Sequence, residues 1–174
     1  MLAIFAAPSV TPVSLAEVKA DLRVIHSYDD ALLGMLLDAA VTSLDGAEGT
    51  LGRCMVTQTW DWTIDGFTEE LKIPLPTLQS ITSITYRDAN GDTQTATGHM
   101  VSGQRVTMPD GWPGTDGNQG AVTVRFVAGY GVADDVPAAL KAAILLKVRD
   151  LYDKGEENSD AIIRLCRPYK SWRV

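Results

Sequence analysis

The spacing of apolar residues changes twice along this chain of 174 residues. It is helical near the start, alternates through the middle, and becomes helical again after residue 131. A helix buries a stripe whereas an alternating strand buries one face, so the two regions need different packing partners. The sequence therefore predicts an α+β fold. Residues 1–52 and 132–174 would form a small antiparallel helical bundle, and residues 53–131 an inserted antiparallel β subdomain.

Two helices are predicted before the β subdomain. Ser14 and Glu17 have the spacing of a capping box, in which each side chain accepts a hydrogen bond from the other residue's amide. A longer helix is predicted over residues 29–47 and should bury one stripe, formed by Leu32, Leu33, Leu36, Leu37, Ala40, Val41 and Leu44.

The β subdomain contains several strand patterns. In MVTQTWDWTI, Val56, Trp60, Trp62 and Ile64 share one face, with Gln58 as the exception. LKIPL, LQSITSITYRD, DTQTA, RVTM and AVTVRFVAGY predict further strands. Asn90-Gly91 predicts a hairpin with a type I′ turn, which needs positive φ at both central residues.

The helical pattern returns after the GYG of residues 129–131. One helix is predicted from Pro137 to the residue before Gly155. Ser159 is expected to cap a last short helix, and Pro168 to end it. The final residues would then form a tail.

Composition limits the possible functions. The formal net charge is −7, which argues against a sequence-specific nucleic-acid-binding protein, since phosphate contacts supply much of that affinity. The two cysteines, Cys54 and Cys166, indicate neither a metal site nor a disulfide framework, and favour a reducing compartment. The N-terminus lacks the basic region of a signal peptide, and no apolar run is long enough to span a membrane.

No segment carries a convincing catalytic, cofactor or metal motif. GYG lacks the third glycine of a dinucleotide-binding loop, and Asp134 and Asp135 would repel a pyrophosphate. The acids of DANGDTQTATGH lack the glycine and the glutamate that a calcium loop requires. His26 and His99 lie in connections without a recognisable nucleophile motif. We therefore expect a non-enzymatic protein with no catalytic residue, metal or cofactor.

The C-terminus differs in charge from the rest of the chain. Residues 164–174 contain four basic residues and no acid, whereas residues 1–70 contain three basic residues and eleven acids. This asymmetry indicates either a tail with its own partner or cations that favour a helix C-terminus. Trp172, between Lys170 and Arg173, is either an interface anchor or a ring that docks on the chain itself.

The ordered segments resemble a known family. PVSLAEVKADLRV, DDALLGMLLDAAV, TQTWDWTIDGF, IPLPTLQSITSITYRDANGDTQT, AVTVRFVAGYG and VPAALKAAILLKVRDLYD are similar to head–tail connector (adaptor) proteins of long-tailed bacteriophages and phage-like gene transfer agents. The resemblance runs from about Thr11 to Tyr169.

The resemblance implies a structural role in a virion or phage-like particle, after synthesis in the bacterial cytoplasm. Such adaptors form a ring, usually a dodecamer, under the portal protein. The ring extends the DNA channel without sequence-specific binding and provides a docking platform for further connector or tail proteins. The family's C-terminal segment reaches the portal, which implies a portal-binding set here of Arg167, Pro168, Tyr169, Lys170, Ser171, Trp172, Arg173 and Val174.

Two other functions stay open from the residues. A non-catalytic binding module for carbohydrate or a receptor could use Trp60, Trp62 or Trp112 as a stacking platform. Burial of Trp60 and Trp62 would argue against it. A small hydrolase would need His26 or His99 beside a serine and an aspartate.

Overall fold

The computed structural model describes residues 1–155 and 158–171. Within them the chain forms helices and antiparallel sheets, which confirms the predicted α+β class. The helices are α1 (Leu15–Leu22), α2 (Asp30–Leu44), α3 (Ala138–Asp153) and α4 (Ser159–Cys166). The strands are β1 (Leu2–Ala6), β2 (Gln58–Ile64), β3 (Glu70–Lys72), β4 (Leu78–Arg87), β5 (Thr93–Thr95), β6 (Met100–Ser102), β7 (Arg105–Thr107) and β8 (Val122–Ala128).

The chain divides into two compact units. The strand unit comprises Met1–Pro8 and Thr57–Gly129, and the helical unit comprises Ser9–Val56 and Tyr130–Val174. The sequence analysis placed residues 1–8 with the helices, and the structure places them with the strands. The reason is long-range, because β1 pairs antiparallel with β2, with Leu2 opposite Trp62 and Ile4 opposite Trp60.

The strand unit contains a five-stranded sheet in the order β1-β2-β8-β4-β5 and a three-stranded sheet in the order β3-β7-β6. Its central strand, β8, alternates strictly, with Val122, Val124, Phe126 and Ala128 buried. Gln58 is not an exception to the alternation of β2. It is buried, and its Oε1 accepts a hydrogen bond from the Trp60 indole at 3.1 Å, which satisfies both groups.

The hairpin predicted at Asn90-Gly91 joins β4 to β5 as expected, but the turn is not of type I′. Gly91 has a φ of 87°, whereas Asn90 is not among the residues with positive φ. The Gly91 amide donates to the Asp88 carbonyl at 2.8 Å, and the Asp88 carboxylate accepts from the Asn90 amide at 2.9 Å. The aspartate therefore stabilises a turn that needs only one left-handed residue, which glycine supplies.

The helical unit begins with the predicted capping box. Ser14 Oγ accepts from the Glu17 amide at 3.2 Å, and Glu17 Oε2 accepts from the Ser14 amide at 2.7 Å. These bonds satisfy two amides that the first turn leaves without a partner. They also lower the pKa of Glu17, chiefly through the bond from the Ser14 amide.

All four helices contribute to one hydrophobic core. Helix α3 lies against α1, α2 and α4. The buried residues of this core include Val18, Leu33, Leu37, Leu44, Leu51, Leu140, Ile144, Val148 and Ile162. No helix in the described part of the chain is long and apolar enough to cross a membrane.

The start of α4 differs from the prediction, because its N-cap is Asn158 and not Ser159. The Asn158 side chain makes no capping bond, and its Nδ2 instead donates to Asp150 Oδ1 at 2.6 Å. Asp150 is buried near the end of α3, so this bond fixes the first turn of α4 to α3.

Candidate functional site

The C-terminal segment that sequence analysis selected follows α4 directly. Helix α4 ends at Cys166, shortly before Pro168 as predicted, and Arg167–Tyr169 form a 3₁₀ turn after it. Proline is tolerated there because the first amides of a turn need no partner within it. Trp172, Arg173 and Val174 lie outside the described residues.

The described part of this segment packs on the helical unit. Tyr169 is partly buried against the hydrophobic core, and the Ser171 amide donates to the Leu51 carbonyl at 2.8 Å. Pro168, Arg167 and Lys170 are exposed. The point at which the chain continues beyond Ser171 is therefore fixed by contacts with the loop that follows α2.

That loop, residues 45–56, is itself held by hydrogen bonds. The Gly46 amide donates to the Arg53 carbonyl at 2.8 Å, and the Met55 amide donates to Asp45 Oδ1 at 2.6 Å. Gly52 has a φ of 62°, and a Cβ added to it would lie 3.3 Å from the Ser171 carbonyl oxygen. Glycine is therefore required at residue 52 both for the turn and for the approach of the C-terminal segment.

Two basic side chains stand out on α4 and the turn after it. Arg164 and Arg167 are exposed, and neither forms an ion pair within residues 1–155 and 158–171. A cation near a helix C-terminus interacts favourably with the helix dipole. The same two guanidinium groups remain available to an acidic partner.

The GYG segment joins the strand unit to the helical unit, and the carboxylate of Asp135 occupies the space beside Gly131. Gly131 has a φ of 139°, and a Cβ there would collide with the Asp135 carboxylate. Asp135 Oδ2 accepts from the Val132 amide at 3.0 Å. A carboxylate occupies the position where a phosphate would bind, so the segment is a structural turn.

His26 and the Asp88 carboxylate are accounted for by local structure, whereas the buried Nδ1 of His99 has no hydrogen-bond partner in the described part of the chain. His26 lies between α1 and α2, with its Nε2 3.9 Å from the Asp29 carboxylate. The Asp88 carboxylate accepts from Gln94 and from the Asn90 and Asp92 amides, and these bonds lower its pKa, with Gln94 as the largest cause. Over the described ranges no three His, Cys, Asp or Glu side chains lie together as a metal site would require.

Two of the three tryptophans of the strand unit are committed to contacts within it. Trp60 is only 5% exposed. Trp62 and Trp112 are half-buried. One face of Trp112 is covered by Phe67 at 4.5 Å between ring centroids, and its indole N–H donates to the Glu69 carbonyl at 3.3 Å. Trp112 therefore anchors its own loop.

One exposed surface, on α2, was not predicted from the sequence. Leu32 was assigned to the buried stripe of α2, yet it is 42% exposed. Two further apolar side chains are also exposed, Met35 at 65% and Tyr28 at 92%. The signal was present, because α2 has apolar residues on more faces than one packing partner can cover.

No protein-family model and no curated protein matches the sequence. Solved structures, however, match the whole chain. One is a chain in the neck of an empty GTA particle computed with C6 symmetry, with 19% identity and a TM-score of 0.80, covering 100% of this chain and 97% of that chain. Another is from the virion of a native gene transfer agent (GTA) particle, with 20% identity, a TM-score of 0.76 and the same coverage.

A third match is from the neck of a native GTA particle computed with C12 symmetry, with 20% identity, a TM-score of 0.70 and coverage of 100% of this chain and 97% of that chain. At this identity the similarity shows the fold. The chain thus has the fold of proteins found in gene transfer agent particles, and the resemblance noted in the sequence is confirmed at that level.

Proposed function

We propose that this protein is a structural head–tail adaptor in the neck of a phage-like particle. In this role it forms a ring under the portal protein, extends the DNA channel, and provides a docking platform for the tail. The observation that carries the proposal is the match over the whole chain, at a TM-score of 0.80, to a chain from the neck of a GTA particle. The reconstructions with C6 and C12 symmetry support a ring as the assembled form.

The charge of the chain supports a channel role. With a net charge of −7, the subunit repels the phosphate backbone on average, so DNA would pass without adhering. A neck protein needs that property because genome release requires rapid movement of DNA. No base-reading element is required for it.

The portal-binding surface is proposed to be the C-terminal segment from Arg167 to Val174. Its start is fixed on the helical unit by Tyr169 and by the bond between Ser171 and Leu51, so the residues beyond Ser171 leave from a defined point. Trp172 supplies a large ring of the kind that dominates interface energies, and Arg173 supplies a cation for an acidic portal surface.

The test of the neck role is cryo-electron microscopy of this protein mixed with the portal protein encoded near its gene. We expect a closed ring below the portal. Intact portals with no bound protein would refute the adaptor role.

The test of the C-terminal site is the double variant Trp172→Ala/Arg173→Ala, which should abolish portal binding. Arg105→Ala is the control, because it removes an exposed arginine from the strand unit, and it should bind normally. Portal affinity is measured by biolayer interferometry. Unchanged binding of the double variant would reject the C-terminal site while leaving the ring to be judged by microscopy.

A further inference from the structure

Helix α2 exposes an apolar face that no part of the described chain covers. Leu32 and Met35 are three residues apart on α2, so their side chains lie along one side of the helix. Tyr28, in the turn before the helix, is 92% exposed. Ile25, in the preceding connection, is 97% exposed. Asp38 continues this side toward the helix end and is exposed.

A glycine lies within the same helix. Gly34 is in the middle of α2, and a Cβ added there would meet nothing within 4 Å. Glycine inside a helix is destabilising relative to alanine, and no neighbour in this chain requires it. Gly34 lies about 100° around the helix from Met35, so it borders the exposed apolar side and is not part of it.

Helix α4 exposes an unlike face. Ile163 is 63% exposed, and Arg164 and Arg167 lie beside it, with Asp160 one turn earlier. The C-terminal half of this face is therefore apolar at its centre and basic around it. Asp38 on α2, like both arginines, forms no ion pair in the parts of the chain that the structure describes.

The two faces lie on helices that α3 separates. Helices α2 and α4 each pack against α3, and no Cα atom of one lies within 8 Å of a Cα atom of the other. Each helical unit thus carries an apolar face with an exposed acid on one helix and an isoleucine with exposed bases on another, and these charges have no ion-pair partner within residues 1–155 and 158–171. Two unlike complementary surfaces on one subunit are what a closed ring of identical subunits requires.

We propose that the outer face of α2 in one copy packs against the outer face of α4 in a second copy, in a repeated heterologous contact. Met35, Leu32 and Tyr28 would bury Ile163, and Asp38 would meet Arg164 or Arg167. The inference rests on the proposed ring, and it identifies the subunit contact.

Cross-linking tests this contact directly. The variants are Met35→Cys, Ile163→Cys and the double variant Met35→Cys/Ile163→Cys, each treated at high protein concentration with a short bismaleimide. The native Cys54 and Cys166 are buried, and burial raises the pKa of the Cys166 thiol, so the unmodified protein provides the background. The control is Met35→Cys/Val132→Cys, because Val132 is 62% exposed, similar to Ile163.

A head-to-tail contact predicts a distinct pattern. The double variant should lose its monomer band to a ladder that extends beyond the dimer. A mixture of the two single variants should give dimers only, and neither single variant alone should exceed background. The control should also stay at background.

Three results would overturn the contact: dimers from Met35→Cys alone, an equal ladder from the control, or no cross-linked product from the double variant. Negative-stain microscopy of the unmodified protein with the portal separates the two proposals. Rings without cross-linking would reject this contact and keep the neck role. A ladder without rings on intact portals would keep the contact and reject the neck role.

Discussion

Replacement of Gly52 by alanine should loosen the C-terminal segment. Gly52 has a φ of 62°, and a left-handed conformation costs an L-residue roughly 1–2 kcal/mol. The new Cβ would also lie 3.3 Å from the Ser171 carbonyl oxygen, closer than ordinary van der Waals contact. The segment must then move, which weakens the bond from the Ser171 amide to Leu51.

The two effects can be separated with a matched glycine. Gly103 has a φ of 60°, and a Cβ there would meet nothing within 4 Å. Gly103→Ala therefore carries the same backbone cost without a contact to the C-terminal segment. Both variants should be destabilised, and only Gly52→Ala should release Ser171.

The assay is hydrogen exchange of the Ser171 amide, measured by NMR. A hydrogen bond contributes about 1 kcal/mol net, so its loss should speed exchange at Ser171 by about fivefold in Gly52→Ala. The rate should not change in Gly103→Ala. Equal acceleration in both variants, or none in Gly52→Ala, would refute the argument that this glycine positions the segment.

Three further variants test side-chain contacts. Ser14→Ala removes the capping box and should lower the free energy of unfolding by about 1 kcal/mol, measured by urea denaturation. Because the pKa of Glu17 is lowered in the folded state, the stability that its carboxylate contributes is complete above its ordinary pKa of 4.5 and is lost as the pH falls through the folded value. Glu17→Gln should remove this part of the pH dependence of the free energy of unfolding. An unchanged pH dependence in the acid range would contradict the assignment. Arg125→Lys should increase hydrogen exchange of the β1 amides. Arg125 forms two hydrogen bonds to Asp61, at 2.7 and 2.8 Å, and its guanidinium lies over the Phe5 ring of β1. Exchange protection equal to that of the unmodified protein would show that this contact does not hold the edge strand.

Features specified by local sequence were predictable. The capping box of Ser14 and Glu17, the alternation of β8 and the hairpin at Gly91 depend on residues close together in the chain. Features that depend on distant partners were not. The pentapeptide LAIFA does not show that it pairs with β2, and nothing near Gln58 shows that Trp60 will satisfy it inside the core.

The same distinction between local and long-range features applies to the candidate site. The basic character of residues 164–174 could be read directly from the sequence. The docking of Ser171 on Leu51 could not, because it joins the ends of two segments of the helical unit that the whole strand unit separates in sequence. The exposed side of α2 was misread because an apolar residue on a helix is first assigned to the chain's own core, whereas Leu32 lies at the edge of the stripe centred on Leu33 and Leu37.

The two proposed interfaces share one structural element. Helix α4 would contact a neighbouring copy, and the segment that follows it would contact the portal. The bond from Asn158 to Asp150 fixes the start of α4, and the bond from Ser171 to Leu51 fixes the segment beyond it. Because these bonds already fix α4 within the free subunit, portal binding need not reorganise the helix, and the two interfaces can form in either order. Any coupling between them would have to be reciprocal, with ring formation strengthening portal binding by the same factor as portal binding strengthens ring formation.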